Sequence, residues 1–308
     1  MNIALEVPAS VANFGPGFDA LGMAVALYNR YSFTISDQPG VSIKISGEGA
    51  DLLPKNDQHL VYRAYTATLR RLGREAPPGF HLRQHNQVPF AGGLGNSATA
   101  VAAGVLAANA VAGEPLSAQQ LLHAATVIEG HPDNVVPALV GGLVTCVFDT
   151  NQVTYISIPL PDPCYVVLTV PAFTVNTALA RQVLPSHVPL ADAAHNVSRV
   201  SLLVAALCTG QLQMLAQAMQ DKLHQPYRSH LIPGLQEVCL AAVDAGALGA
   251  ALAGAGPTVM ALTTDAADAD SIGEAMTAAF AAAGVSARYL VTMPCNKGAS
   301  VVTMAREH

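Results

Sequence analysis

The chain has 308 residues, 51% of them hydrophobic and 12% charged, with a formal net charge of −6. So much apolar material excludes a disordered chain and supplies a large core, and a negative balance without any basic run excludes the electrostatic footprint of a nucleic-acid or anionic-membrane binder. At about twice the length of a common domain, it is expected to form two, residues 1–160 and 161–308.

In chain order, β-branched or alternating runs predict strands near residues 2–8, 30–36, 41–46 and 79–88. A helix is predicted between the last two, at NDQHLVYRAYTATLRRLG. Val7-Pro8-Ala9-Ser10 is expected to break the first strand, because proline removes a ladder donor. A second helix follows at SATAVAAGVLAANAVAG and a third at AQQLLHAATVIEG, the latter with Ser117 as its N-cap. LVTCVFD, VTYISIPL and CYVVLTVP read as successive strands around residues 143–170. Helical patterns over 190–220 and 233–246 then precede ALAGAGPTVMALT, a helix through SIGEAMTAAFAAAG and a final strand at ARYLVTM. The order of elements is that of an α+β protein without internal repeats. Five dispersed cysteines with no CxxC, a start without basic and apolar leader regions, and no long uncharged apolar stretch predict a cytoplasmic location and no membrane span. No HExxH occurs, and His81 and His85 fall in a strand, so no zinc site is expected.

The segment richest in chemistry is PFAGGLGNSATA, residues 89–100. Gly92, Gly93 and Gly95 free the backbone for a tight loop and for close approach of an anion. The helix starting near Ser97 turns unpaired N–H groups and a positive dipole end toward the same point, so this is a candidate phosphate cradle. A glycine turn capped by Ser97 is the structural alternative. GxxxxGK[ST] is absent. Gly95-Asn96-Ser97-Ala98-Thr99 approximates the GxSxG elbow of hydrolases, with Thr99 in place of the last glycine, and GPGFDA at 15–20 approximates a dinucleotide fingerprint interrupted by Pro16.

Three segments, in order, resemble the motifs of the GHMP kinases: PASVANFGPGFDALG at 8–22, PFAGGLGNSA at 89–98 and LAGAGPTVMAL at 252–262. EGHPDNVVPALVGG at 129–142, TALARQVLP at 177–185 and YRSHLIPG at 227–234 are similar to the homoserine kinase branch. The resemblance implies a two-domain architecture, an amino-terminal domain with a left-handed βαβ unit and a ferredoxin-like carboxy-terminal domain, with the site between them. It also implies transfer of a phosphoryl group from ATP, with Mg2+, to the side-chain hydroxyl of L-homoserine. Another small-molecule substrate of the superfamily, or a non-catalytic binding protein of the same fold, is the alternative.

By the same resemblance, Ala91, Gly92, Gly93, Leu94, Gly95, Asn96 and Ser97 would wrap the ATP phosphates, and Ser97 and Glu129 would hold the metal. Asn96 departs from a more usual serine, and only Gly130 separates Glu129 from His131. Asn13 and Asp19 would receive the substrate ammonium, Arg181 and Arg228 its carboxylate, with Thr177 beside them. His131, Asp133 and Asn134 would line the hydroxyl side, Asn134 holding the nucleophilic oxygen and Asp133 a candidate base. Gly254 and Gly256 are expected to form a turn under the nucleotide loop, with Thr258 near the substrate. His59 stands where relatives often present Asn to the base, and a surface histidine is the competing reading. A homodimer is the assembly suggested by the family.

Overall fold

A computed structural model describes residues 1–150 and 152–301. The elements are β1 (Asn2–Ala12), β2 (Leu21–Ser36), β3 (Gly40–Gly47), α1 (Leu60–Arg71), β4 (Gly79–Asn86), α2 (Asn96–Val111), α3 (Ala118–Glu129), α4 (Pro132–Val140), β5 (Leu143–Asp149) and β6 (Gln152–Ile158). They continue with β7 (Tyr165–Pro171), α5 (Thr177–Gln182), α6 (Leu190–Thr209), α7 (Leu215–Ala218), α8 (Gln225–Arg228), α9 (Leu235–Asp244), β8 (Gly249–Leu252), β9 (Val259–Thr263), α10 (Ala266–Ala282), β10 (Ala287–Thr292) and β11 (Ser300–Val301). None of the helices among the described residues is long and apolar enough to cross a membrane.

Two sheets organise the chain. The first follows the order β11-β1-β2-β4-β3, with β5 joined to β2 and β6 to β5. Within it β3 and β4 are parallel, with α1 between them in sequence, forming the βαβ unit. The second sheet, β10-β7-β9-β8, is antiparallel throughout, and α9 and α10 pack against it. Its strand order and connecting helices are those of a ferredoxin-like fold.

Local sequence explains the elements around the site. Along α1, Val61, Ala64, Tyr65, Thr68 and Leu69 are buried, a stripe at helical spacing turned onto the first sheet. α2 is buried nearly all round, so alanine dominates it, and a side chain at Gly104 would run into the backbone of α1 at Val61. Ser117 caps α3 through a reciprocal capping box with Gln120, as its sequence suggested.

Pro8 does not end β1. Pro8 pairs with Tyr28 and Ala9 with Val25, so β2 bulges at this point and the ladder resumes beyond the proline. A bulge accommodates a residue without an N–H, which is why the strand reaches Ala12 and delivers the following turn to the cleft. The helical region over 190–220 is likewise interrupted: α6 ends at Gly210, in the left-handed conformation, before the short α7.

One apolar cluster crosses between the sheets. It joins Ala9, Val11, Phe14, Met23 and Leu94 to Leu168, Leu203, Leu215, Met219 and Met260.

Candidate active site

A cleft of about 280 Å³ lies where the loops of both sheets converge. Asn13, Asp19, Ala91, Gly92, Gly93, Gly95, Asn96, Ser97, Glu129, His131, Asp133, Asn134, Thr177, Arg181 and Arg228 all line it. Leu94 does not: its side chain is 1% exposed and belongs to the core, while its carbonyl accepts from the Ser10 N–H at 3.2 Å.

The glycine loop is shaped by close approach. Gly93 and Gly95 have positive φ, and a Cβ on Gly95 would collide with the Ser10 hydroxyl. Gly95 stands at the N-cap of α2 without any side-chain cap, so the first amides of the helix are left facing the cleft. The alternative of a glycine turn capped by Ser97 is not observed. Ser97 sits inside the first turn of α2, and its hydroxyl donates to Glu129 Oε1 at 2.5 Å.

Glu129 is the last residue of α3 and lines the cleft. Burial raises its pKa above the ordinary carboxylate value, while the Ser97 hydrogen bond works the other way. Gly130 in the left-handed conformation then turns the chain so that His131 precedes α4, with Pro132 at its first position. His131 Nδ1 lies 2.6 Å from Asp133 Oδ1. Burial disfavours the imidazolium, but that hydrogen bond and the Asp133 charge outweigh it and hold His131 above its usual pKa. Asp19, His131 and Asp133 each bring one potential ligand atom within 4.8 Å of the others, a grouping distinct from the Ser97 and Glu129 pair. Asn134 accepts a hydrogen bond from the Ser10 hydroxyl at 2.9 Å, which leaves its NH2 group without a partner among the described residues.

On the opposite wall, Arg181 from α5 clasps Asp19 with its two terminal nitrogens, Nη1 donating to Oδ2 at 3.0 Å and Nη2 to Oδ1 at 2.7 Å. The pair is about a third exposed on each side, at 36% and 34%. Hydrogen bonding to Asp19 raises the Arg181 pKa despite partial burial. Arg228, in α8, is only 2% exposed, and burial followed by the Arg181 charge pulls its pKa down to about 10. It donates through Nε to Ala180 O at 3.1 Å and through Nη1 to Gly254 O at 2.9 Å. Asn13 Nδ2 also donates to Gly254 O, and its Oδ1 accepts the Asp19 N–H. Asn13, Phe14, Asp19 and Ala91 all have positive φ. Such conformations cost non-glycine residues about 1 kcal/mol or more each, and here they concentrate around one cleft.

Thr258 is fully buried and does not line the cleft; its N–H donates to Gly92 O, so it supports the glycine loop from beneath. Gly254 and Gly256 form the β8–β9 turn against that same loop. His59 is not on the surface. It is 1% exposed, caps α1 by accepting the Val61 N–H on Nδ1, and leaves Nε2 buried and unpartnered at the wall of the cleft.

Several supporting residues escaped sequence reading. Ser10 orients Asn134 from a strand 124 residues away. Asn29 donates to Asn96 Oδ1 and Thr99 Oγ1 and accepts the N–H groups of Gln87 and Val88, fixing both ends of the glycine loop. Phe18 and His224 pack beside the arginines. Ser10 and Asn29 act on partners far along the chain, where no local pattern marks them, and His224, although four residues before Arg228, is tied to the cleft by the distant Gly15.

The family models described as GHMP kinases N terminal domain and GHMP kinases C terminal match residues 59–142 and 203–282. A homoserine kinase of Moorella thermoacetica is 45% identical over 298 residues, covering 97% of this chain and 99% of that protein. A homoserine kinase of Aquifex aeolicus is 40% identical, with the same coverage of both. The crystal structure of homoserine kinase from Cytophaga hutchinsonii superposes with a TM-score of 0.87 at 34% identity, covering 98% of this chain and 97% of that one. Two matching family models, near full-length identity of this order and a shared architecture place the chain in one family: it belongs to the GHMP kinases, in their homoserine kinase branch.

Proposed function

We propose that this enzyme transfers the γ-phosphoryl group of ATP to the side-chain hydroxyl of L-homoserine, giving O-phospho-L-homoserine for threonine biosynthesis. The observation that carries the reading is the cleft itself, in which an uncapped helix end and glycine loop face a carboxylate, an amide and two guanidinium groups. A zwitterionic amino acid offers one ammonium, one carboxylate and one hydroxyl, and the wall offers a complement to each. Asp19 and Asn13 take the ammonium, Arg181 and Arg228 the carboxylate, with Thr177 beside them. Both charges of the Asp19–Arg181 pair are thereby satisfied when a zwitterion enters between them.

The amides and glycines of residues 91–97 receive the phosphates. Ser97 and Glu129 suit Mg2+, since their oxygens are hard donors meeting at the mouth of the phosphate loop. Held there, such an ion would supply charge neutralisation to the phosphates. Asn134, with its carbonyl tied down by Ser10, aims its NH2 group to hold the attacking oxygen in line. The new O–P bond forms as the bond to the leaving ADP oxygen breaks, and the hydroxyl proton passes to an oxygen of the transferred phosphoryl group. Asp133 is committed to His131 at 2.6 Å, which supports an ion-pair role for it over that of a base. Positioning and charge carry such a reaction.

The change of sheet between Ile158 and Tyr165 supports a division near residue 160 into a nucleotide-binding part and a carboxy-terminal part. Five free cysteines support a reducing, cytoplasmic location, and a homodimer is the assembly to be checked by light scattering. Incubation with magnesium, ATP and L-homoserine, with products read by mass, tests the central reading. The expected result is homoserine heavier by one phosphoryl group in step with ADP release; ADP release that is independent of homoserine, or none, would sink it.

A further inference from the structure

We infer that His224 is a positioning residue for recognition of the substrate α-carboxylate: it fixes the guanidinium of Arg228 and ties it to the turn that carries Asp19. The inference rests on the substrate reading proposed above.

His224 is 0% exposed and immediately precedes α8. Its place is set by Asp221, whose carboxylate accepts the N–H groups of Leu223 at 3.0 Å, His224 at 2.9 Å and Gln225 at 2.7 Å, and the Asn196 side chain at 2.7 Å. The ring then has no freedom of protonation. Nε2 lies 2.7 Å from Gly15 O, a carbonyl that only accepts, so Nε2 carries the hydrogen. Nδ1 lies 3.1 Å from Arg228 Nη1, a group that only donates, so Nδ1 is the acceptor. Burial lowers the His224 pKa, with the Arg228 charge adding to it and Asp221 opposing, which agrees with a neutral ring.

The consequence falls on Arg228. Its Nε and Nη1 are taken by Ala180 O, Gly254 O and His224, while Nη2 has no partner among the described residues although the side chain lines the cleft. One edge of the guanidinium is anchored and the other is left for a ligand oxygen. Phe18 completes the arrangement, stacking on His224 with centroids 5.4 Å apart and lying 5.4 Å from the Arg228 guanidinium carbon and 5.6 Å from that of Arg181. Because Gly15 stands in the same turn as Asn13 and Asp19, the imidazole joins the carboxylate-binding and ammonium-binding sides of the site.

A histidine that only fills space would make no distinction between its two nitrogens, and substitution can separate them. Asparagine places its carbonyl oxygen near the position of Nδ1 and keeps an acceptor for Arg228; glutamine reaches the position of Nε2 and loses that acceptor. Steady-state kinetics on the full chain with Mg-ATP should show His224→Gln raising the KM for L-homoserine about tenfold, with kcat and the KM for ATP within about twofold of wild type. Turnover of 3-aminopropan-1-ol, which lacks the carboxylate, should be unaffected, and His224→Asn should recover most of the homoserine KM. Equal homoserine KM values in wild type and His224→Gln, or parallel losses for ATP and both alcohols, overturn the inference. Ring nitrogen shifts of His224 in the unaltered protein give a readout that no folding defect can confuse: a neutral Nε2–H tautomer is expected, and a charged ring or an Nδ1–H tautomer overturns it. Wild-type protein that does not phosphorylate L-homoserine would instead overturn the substrate reading, and the role of His224 with it.

Discussion

Ser97 and Glu129 meet at 2.5 Å across two different helices, so neither is where it is for the sake of its own helix alone. Ser97→Ala removes a neutral oxygen and Glu129→Gln removes a charge. Both should lower kcat with homoserine, on the order of a hundredfold for the glutamate, because fixed charge matters most as charge redistributes in the transition state. Near-normal kcat in both variants at fixed magnesium would remove them from the reaction. Arg228 predicts a different pattern. A hydrogen bond to a charged group contributes about 1.5–3 kcal/mol, so Arg228→Ala should weaken the use of L-homoserine by about 10- to 150-fold. 3-Aminopropan-1-ol should lose little, and the KM for ATP should stay unchanged. An Arg228→Ala variant that keeps wild-type selectivity between the two alcohols would show that the guanidinium serves the core alone.

At the scale of elements, the start of α1 links acid stability to a single cap. Burial lowers the His59 pKa from 6.5 to about 4, so the folded protein holds the ring neutral where the unfolded chain takes up a proton. Stability from this source is intact above pH 6.5 and is lost as pH falls toward about 4, to a total of about 3 kcal/mol. Asparagine is a strong N-cap and does not titrate there. Urea midpoints of His59→Asn should therefore fall less than those of wild type between about pH 7 and 4.5; parallel pH profiles would show that His59 does not set the slope. Elements also mark how far the sequence could be read. The stripe on α1, the capping box of α3 and the glycine loop are local patterns, visible within a dozen residues. The continuation of β1 past Pro8 was hidden, since it depends on a bulge in the partner strand β2. The three motifs, with the segments at 129–142, 177–185 and 227–234, brought most of the cleft residues into view by likeness to a family, whereas Ser10 and Asn29 act on residues far along the chain and His224 draws on one. His224 meets Gly15 across 209 positions, and nothing in the composition around either residue announces the contact.

The whole molecule poses the question of whether its two sheets are two folding units. Residues 2–158 build most of the first sheet and residues 165–292 all of the second, yet the described chain ends by returning: β11 pairs with β1, and Pro294 bridges to Val25. The largest apolar cluster is shared as well, with Phe14, Met23 and Leu94 on one side and Leu203, Leu215 and Met260 on the other. Each buried side chain of this size contributes roughly 1.5–3 kcal/mol when removed from water, so separating the parts would forfeit an amount comparable with the whole margin by which a domain is usually stable. The site is divided in the same way, its phosphate loop coming from the first part and Arg181 and Arg228 from the second. A division useful for describing nucleotide and substrate binding is therefore expected to be invisible to unfolding. Scanning calorimetry of the full chain should give one transition with calorimetric and van't Hoff enthalpies in agreement, and residues 1–160 expressed alone should show no cooperative melting. Two resolved transitions, or a cooperatively folded 1–160 fragment, would mean that the shared cluster is a dispensable contact between independent domains.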